Sequence, residues 1–200
     1  SVHDWKPVKD SFVEKSVDCK GSAHEILTSW QSVVKTISSN VEPKKTPLLG
    51  IGVAMPGPFD YRRGIAKVWG LAKFESLYGV DVRPALRRGA TEQCFQPLVP
   101  IRLANDAHAF LLGELSAGAA VGAKKAIGIT LGTGIGAAFY GDGMLLDSGK
   151  GVPPDGVMYK VPMQGKTTED FISARWFNTQ TSLQQANGCI KTLAELASNG

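Results

Sequence analysis

The sequence predicts an α/β fold, and three observations support that prediction. Two apolar runs, at residues 48–55 and 99–103, each end in turn-forming or polar residues, which is typical of buried parallel strands. Apolar residues recur at helical spacing over residues 26–37. A glycine-rich turn at residues 132–136 lies between two further apolar runs and predicts a hairpin. Strands and helices are therefore mixed along the chain.

The composition indicates which partners the protein is expected to bind and in which compartment it is expected to lie. The net charge is +4, and the basic residues are scattered along the chain. We therefore expect no nucleic-acid partner, although the positive charge weakly favours binding of an anionic ligand. Cys19, Cys94 and Cys189 are far apart and include no C-x-x-C pair, which argues against a disulfide framework and a zinc ribbon. No apolar run reaches about eighteen residues and no signal-peptide pattern opens the chain, so we expect no membrane partner and a cytoplasmic location.

The order of the elements begins with a short strand and a capped helix. A half-alternating stretch over Asp10–Asp18 predicts an edge strand. Ser22, with Glu25 three residues later, forms a capping box that predicts the start of a helix. Further helices are predicted over Pro84–Phe95, from Asp106, from Thr167 and over Ile190–Ala197. Both ends of the chain suggest a piece of a longer protein.

The first apolar strand runs directly into Pro56-Gly57-Pro58. Ligands of open parallel sheets collect beyond the carboxyl ends of the strands, so this turn lies where a substrate loop is expected. The alternative is a rigid connection with no contact to a ligand, because proline and glycine are ordinary turn residues.

Asn105 and Asp106 follow the second apolar strand and begin a helix. Capping of that helix is the simpler interpretation, but it accounts for only one of the two residues. In the functional interpretation both residues lie at the carboxyl end of a strand and at a helix N-terminus. A carboxylate stays ionised there and can accept a proton. Asp106 is therefore a candidate general base.

The turn at Gly132, Gly134 and Gly136 leaves backbone N–H groups uncovered by side chains, so they can point at an anion. It is not a Walker A loop, which ends in Gly-Lys-Ser/Thr, and not a Rossmann turn, whose spacing is G-x-G-x-x-G. A protein-kinase glycine loop also joins two strands, but no His-Arg-Asp or Asp-Phe-Gly follows here. The alternative is a structural hairpin whose small residues pack under a neighbouring element.

Taken in order, these motifs resemble the ROK family (repressor, open reading frame, kinase) of bacterial sugar kinases, within the actin-like ATPase superfamily. The matching stretches are residues 50–58 (GIGVAMPGP), 103–109 (LANDAHA) with Gly113-Glu114, and 129–136 (ITLGTGIG). Gly165, followed by Thr168-Glu169, resembles the family's later Gly-x-x-x-Glu element. The resemblance covers the chain from about Ser11 to Ala197.

The resemblance implies an actin-like ATPase (ribonuclease H-like) fold of two α/β domains, incomplete at both ends. Residues 1–122 would be the remainder of the small N-terminal domain, and residues 123–200 the start of the larger C-terminal domain. ATP and the sugar would bind in the cleft between the domains, and Mg²⁺ would offset the phosphate charge. A homodimer is compatible with the resemblance.

The resemblance also implies a reaction, the ATP-dependent phosphorylation of a sugar hydroxyl, as in a glucokinase-like hexose kinase. Asp106 would be the general base. The implied substrate-binding residues are Asn105, Gly57 and Glu169, and the implied phosphate-binding residues are Gly132, Thr133, Gly134 and Gly136.

The chain departs from the family pattern at several places. The family's first phosphate loop, Asp-x-Gly-Gly-Thr, is absent, and the chain stops before the adenosine-binding glycines. Residues 153–160 read PPDGVMYK where Gly-Glu-x-Gly-His is expected, so Asp155 is a weak replacement at best. The Cys-rich zinc motif is missing, so no metal ligand is implied, and the sugar-contacting Asn-Leu-Pro is not recognisable in residues 68–73.

Two other functions compete with the kinase. One is a ROK-like sugar-binding regulatory protein that does not transfer phosphate. The other is a nucleotide-binding module unrelated to sugar, which would not require Asn105 and Asp106. The presence of Asp106 favours the kinase, because a protein that only binds sugar has no need of a base.

Overall fold

The computed structural model describes residues 12–40, 49–70, 73–91, 99–132, 134–174 and 176. The chain forms two compact units, Ser1–Asn105 and Asp106–Gly200. These compact units do not test the predicted domain boundary after residue 122, which stays a prediction. The predicted helix over Ile190–Ala197 and the candidate residue Thr133 lie outside the described residues.

Helix α1 (Ala23–Asn40) of the first unit starts at the predicted capping box. The Ser22 N–H donates to Oε2 of Glu25 at 2.8 Å, and the Glu25 N–H donates back to Oγ of Ser22 at 3.3 Å. The side-chain hydrogen bond from Ser22 is the main cause that lowers the pKa of Glu25 from its ordinary value. A local sequence signal is therefore enough to place this helix end.

The predicted edge strand over Asp10–Asp18 is wrong for residues 12–18, the part that the structure describes. Those residues form no strand, and Phe12 is 86% exposed. A strand needs the backbone of a neighbour to satisfy its N–H and C=O groups, and none of the described strands pairs with this segment.

Two parallel strands form the sheet of the first unit, as predicted from the two apolar runs. Strand β1 (Ile51–Met55) pairs with β4 (Ile101–Asn105), with Ile51 beside Ile101 and Met55 beside Asn105. Gly52 and Ala54 are exposed, so within the described residues β1 is covered on one face and not on both. The short strands β2 (Phe59–Asp60) and β3 (Ile65–Ala66) form a separate antiparallel pair.

Helix α2 (Arg83–Thr91) packs against α1 and completes the core of the first unit. A methyl group built on Gly89 of α2 would lie 2.5 Å from the backbone oxygen of Gln31 in α1, so the two helices cross at a glycine. The fully buried side chains of this core include Ile26, Leu77 and Val82. Met55 and Ile101 join the same cluster and hold β1 and β4 against the helices.

Asp81 and Arg83 form an ion pair at the start of α2. Nε and Nη2 of Arg83 donate to the two carboxylate oxygens of Asp81 at 2.9 and 2.7 Å, and the Arg83 N–H donates to Oδ1 at 3.0 Å. The side-chain hydrogen bond from Arg83 is the main cause that lowers the pKa of Asp81 from its ordinary value.

We expect this pair to stabilise the protein less as the pH falls. The folded pKa of Asp81 is depressed, so its contribution is complete above the ordinary value of about 3.9 and is lost as the pH falls through the folded pKa. The side chains are 33% and 34% exposed, so solvent keeps the effect small. Urea unfolding of the wild type and Asp81→Asn at about pH 7 and about pH 3 measures it. A wild-type advantage of equal size at both pH values would contradict the assignment.

The second unit is a helix packed on an antiparallel sheet. Helix α3 (Asp106–Ala117) contacts strands β5 (Lys125–Leu131) and β6 (Ile135–Gly141), and β7 (Met144–Leu146) continues the sheet in the order β5-β6-β7. The buried side chains Ala107 and Leu111 of α3 meet Ala138 of β6. The hairpin predicted around residues 132–136 is therefore confirmed.

A second short hairpin follows in this unit. It pairs β8 (Pro162–Met163) with β9 (Lys166–Thr167). A 3-10 turn at Thr168–Asp170 comes next, and Thr167 caps it in a capping box with Asp170. The predicted helix therefore does not begin with regular α-helix at Thr167. None of the helices in the described residues is long and apolar enough to cross a membrane.

Candidate functional site

The ends of β1 and β4 bring two of the predicted substrate-binding residues to one edge of the sheet. Met55 and Asn105 are the last residues of their strands and are partners in the parallel register. The Pro56-Gly57-Pro58 turn follows Met55 directly, and its Gly57–Pro58 peptide bond is cis. Gly57 and Asn105 therefore both extend from the carboxyl edge of this sheet, which is where ligands of open α/β sheets collect.

Tyr61 links these two strand ends, and the sequence analysis did not single it out. Its O–H donates to the backbone oxygen of Met55 at 3.1 Å, and Nδ2 of Asn105 donates to its hydroxyl oxygen at 3.3 Å. A methyl group built on Gly57 would lie 3.3 Å from the same hydroxyl. A tyrosine three residues after the Pro-Gly-Pro turn was the available signal, but nothing local in the sequence shows that its hydroxyl reaches β4.

Asp106 is the first residue of α3, as predicted, and its side chain is exposed. Its Oδ1 accepts the N–H of Ala107 at 2.9 Å. The carboxylate therefore accepts a backbone hydrogen bond at the first turn of α3. The capping interpretation and the base interpretation both fit this geometry, because one carboxylate oxygen binds the helix end and a carboxylate has a second oxygen.

The glycine hairpin of β5 and β6 lies directly on α3. A methyl group built on Gly128 of β5 would lie 2.9 Å from Cβ of Leu111, and one built on Gly136 of β6 would lie 3.3 Å from Cβ of Ala107. Asp106 immediately precedes Ala107 in α3. The candidate base is therefore one residue away from the contact between α3 and the hairpin. Two of the glycines in this hairpin therefore have a structural reason to be small.

The tip of the hairpin is closed by its own hydrogen bonds. The Gly132 N–H donates to the backbone oxygen of Gly134 at 3.0 Å, and the Gly132 oxygen accepts the N–H of Ala174 at 2.9 Å. The predicted use of the Gly132 N–H as a phosphate donor requires this first bond to be exchanged for one to the ligand. Thr133, the next predicted phosphate contact, lies outside the described residues.

Gly132 differs from the other hairpin glycines in its surroundings. A methyl group built on it would meet no heavy atom within 4 Å, and its φ is not positive. Neither packing nor backbone conformation in the described residues therefore demands glycine at this position. A ligand could approach the backbone at this position, and the phosphate contact predicted for Gly132 stays a prediction.

Glu169 lies against the same turn. Its Oε2 would be 2.5 Å from a methyl group built on Gly134, so the glycine makes room for the carboxylate. Glu169 belongs to the 3-10 turn Thr168–Asp170, which is anchored because the Thr168 N–H and hydroxyl both donate to the backbone oxygen of Val161. The structure therefore brings Glu169 and Gly134 together, which sequence spacing alone does not show.

Residues 151–162 line a cavity of about 380 Å³ in the second unit. Its walls include Val152, Pro153 and Val161, with Asp155 and Lys160 as the charged residues. Asp155 has a φ of 60°. This is the segment that carries PPDGVMYK, and its 3-10 turn Pro154–Gly156 contacts strand β6. Among the described residues, no group of three or more His, Cys, Asp or Glu side chains could hold a metal ion.

Comparison with known proteins identifies the family and a relative that match this chain. A sequence model of the ROK family matches residues 19–194. The glucokinase of Thermotoga maritima is 32% identical over 120 residues, a match that takes 60% of this chain and 34% of that protein. The chain thus spans about a third of the length of this curated relative.

Solved structures share the fold. The ROK family glucokinase from Streptomyces griseus, solved with glucose and AMPPNP, superimposes with a TM-score of 0.59 at 19% identity, over 91% of this chain and 62% of that one. A ROK family transcriptional regulator, a homologue of the E. coli MLC protein, gives a TM-score of 0.57 at 19% identity, over 84% of this chain and 42% of that one. The predicted α/β class and actin-like ATPase fold are confirmed.

Proposed function

The chain belongs to the ROK family, and from that membership we propose that the protein is an ATP-dependent sugar kinase. The proposed reaction transfers the γ-phosphoryl group of ATP to a hydroxyl of a hexose, as in a glucokinase. The similarity to the Thermotoga maritima glucokinase supports this class of reaction. The Streptomyces griseus enzyme was solved with glucose and an ATP analogue, which are ligands of the corresponding kind.

The main observation behind the proposal is that the glycine hairpin packs against α3, the helix that begins with Asp106. Gly136 of the hairpin packs on Ala107, the neighbour of Asp106, within one compact unit. A phosphate loop and a base are the two parts that phosphoryl transfer needs most, because the reaction depends on positioning and on a group that accepts the proton of the nucleophile. Helix capping also accounts for a carboxylate at Asp106, so the kinetics of an Asp106 variant decide between the two roles.

In the proposed mechanism Asp106 accepts the proton of the attacking sugar hydroxyl. The sugar oxygen then forms a bond to the γ-phosphorus, and the bond from that phosphorus to the bridging oxygen breaks, leaving ADP and a protonated Asp106 that returns its proton to water. General-base assistance of this kind contributes about 10²- to 10⁴-fold in rate. Asn105 and Gly57, at the edge of the β1–β4 sheet, are the proposed sugar contacts, together with Glu169.

The hairpin tip is the proposed contact for the ATP phosphates. Gly132 is exposed, and a methyl group built on it would meet no described heavy atom within 4 Å apart from its chain neighbours, so a phosphate oxygen has room on that side of the backbone. Gly134 and Gly136 would shape the turn, and Thr133 would add a hydroxyl. Mg²⁺, when bound with ATP, offsets phosphate charge and is usually held by the phosphates, waters and one or two carboxylates. Glu169, beside Gly134, is a carboxylate placed at this turn.

The remaining attributes of the protein stay predictions. They are a cytoplasmic location, the absence of nucleic-acid and membrane partners, and a homodimer.

A sugar panel tests the proposed function. The full-length protein is supplied with ATP, Mg²⁺ and each of a set of aldoses, and ADP is followed by a coupled assay. We expect ADP to form with at least one hexose at a rate that rises and saturates with sugar concentration. Sugar binding by calorimetry without any ADP formation would instead support a regulatory protein that binds sugar. A transcriptional regulator of the ROK family shares the fold.

A further inference from the structure

We infer that Trp69 and Tyr78 form an aromatic platform on which the ring of the sugar stacks. The inference rests on the proposed function and adds two residues to the proposed sugar site that the sequence motifs do not include. Trp69 is 72% exposed and Tyr78 is 58% exposed, and their rings meet edge to face with centroids 5.7 Å apart. Folding usually buries most of a tryptophan, so an exposed pair of large rings indicates a binding surface.

The fold holds both rings outward by the same local arrangement. Each ring is preceded by a buried apolar residue and followed by a glycine with a positive φ. These flanking residues are Val68 and Gly70 around Trp69, and Leu77 and Gly79 around Tyr78. The buried neighbour anchors the backbone in the unit, and the left-handed glycine lets the chain turn directly after the ring. The platform therefore exists before any ligand binds, which lowers the ordering cost of binding.

Trp69 lies close to the Pro56-Gly57-Pro58 turn. The Lys67 N–H donates to the backbone oxygen of Pro58 at 3.1 Å, and Trp69 follows Lys67 by two residues. Two residues span at most about 7 Å of backbone, so the indole starts near the turn that carries Gly57, a proposed sugar contact.

Tyr78 is tied to the same part of the unit through Ala66 of β3. The Gly79 N–H donates to the backbone oxygen of Ala66 at 2.8 Å, and the Ala66 N–H donates to the oxygen of Val80 at 3.1 Å. On its other side Ala66 pairs with Phe59 of β2. Both neighbouring segments run antiparallel to β3, so the turn, Trp69 and Tyr78 all lie toward the same end of these three segments.

An aromatic platform recognises the C–H groups of a sugar ring. Each ring carbon of a pyranose bears an oxygen, which leaves the hydrogens on that carbon slightly positive. The π face of an indole or a phenol is negative, so it attracts those hydrogens, and stacking also removes apolar surface from water. The hydroxyl groups around the rim of the sugar stay available to polar partners. The ligand class is therefore a pyranose that lays one C–H face on the rings.

The adenine of ATP and a protein partner are the other ligands that suit an exposed aromatic pair. The sugar is favoured because the platform shares a compact unit with Gly57 and is bonded through its backbone to the same turn. The proposed phosphate contacts at residues 132–136 belong to the other unit. Each alternative predicts a different result for variants of Trp69.

Kinetics of Trp69→Ala in the full-length protein test the platform. We expect the KM for the best sugar of the panel to rise about 3- to 10-fold, the scale of one aromatic contact, with kcat and the KM for ATP changed less than about twofold. Trp69→Phe keeps a ring and should give an intermediate sugar KM. Phe12→Ala is the matched control, because Phe12 is a ring of the same unit that is 86% exposed. Its sugar KM should equal that of the wild type.

Tryptophan fluorescence measures sugar binding without ATP. The chain has four tryptophans, so the response of Trp69 is assigned by comparing the wild type with Trp69→Phe. We expect saturating sugar to change the emission of the wild type. Trp69→Phe should lose that change while calorimetry still detects sugar binding. The melting temperatures of all variants should stay close to the wild-type value, because the substituted side chains are exposed.

Several distinct results would overturn the inference and leave the kinase proposal standing. An unchanged sugar KM in Trp69→Ala, or a fluorescence response that persists in Trp69→Phe, shows that the sugar does not stack on Trp69. A rise in the KM for ATP alone assigns the rings to adenine. A changed sedimentation coefficient with an unchanged sugar KM assigns them to an interface between proteins. A wild type with neither sugar turnover nor calorimetric sugar binding refutes the proposed function itself.

Discussion

Replacing Asp106 by Asn should lower kcat of the full-length enzyme by about 10²- to 10⁴-fold and leave sugar binding largely intact. The amide cannot accept the proton of the sugar hydroxyl, so the transition state loses its base. Asn is as good an N-cap as Asp, so it should keep the bond that the Ala107 N–H makes at the start of α3. Steady-state kinetics and sugar calorimetry on the same preparation separate the two effects.

Asp142→Asn is the control for the change in charge. Asp142 lies in the exposed turn between β6 and β7 with a φ of 51°, a conformation that Asn tolerates well. We expect this variant to match the wild type in kcat. Equal turnover by Asp106→Asn and the wild type would remove Asp106 from the mechanism and leave helix capping as its role.

Two glycine-to-alanine variants should separate binding of ATP from stability of the hairpin. In Gly132→Ala the added methyl meets open space, so we expect the free energy of unfolding to stay unchanged or rise by up to about 1 kcal/mol. The same methyl lies where a phosphate oxygen is proposed to approach. We therefore expect kcat/KM for ATP to fall at least about tenfold, which is the scale of one lost hydrogen bond to a charged group.

Gly128→Ala is the contrasting variant in the same hairpin. Its methyl would lie 2.9 Å from Cβ of Leu111, a buried residue of α3 that cannot move without moving the helix. We expect a loss of about 1–3 kcal/mol in the free energy of unfolding, typical of overpacking. Urea unfolding and ATP kinetics on both variants provide the comparison. A stable Gly132→Ala enzyme with unchanged kcat/KM for ATP would show that the exposed glycine does not contact phosphate.

The hairpin therefore does not fit a simple choice between a structural and a phosphate-binding turn. Gly128 and Gly134 are small because Leu111 and Glu169, respectively, come close to them. Gly136 is small because its cross-strand partner Thr130 lies nearest and Ala107 packs on it as well. Gly132 has no such neighbour in the described residues. The structural alternative that the sequence left open thus accounts for most of the glycines, and the functional interpretation now depends on one of them.

The sequence by itself determined the elements whose signals are local. The Ser22–Glu25 capping box, the start of α3 at Asp106 and the β5–β6 hairpin depend on residues within a few positions of one another, and all three agree with the structure. The parallel pairing of β1 and β4 followed from two apolar runs that end in turn-forming or polar residues. The edge strand over Asp10–Asp18 failed because a half-alternating pattern does not supply a partner strand.

Only the tertiary structure decided which residues meet across the chain. Tyr61 reaches Asn105 over 44 positions, and strands β6, β7, β8 and β9 lie between Gly134 and Glu169 in the chain. Such contacts depend on the register of β1 against β4 and on the packing of the 3-10 turn, and neither is written in the local sequence. The motifs therefore predicted where a site would lie, and the folded chain decided which side chains orient one another within it.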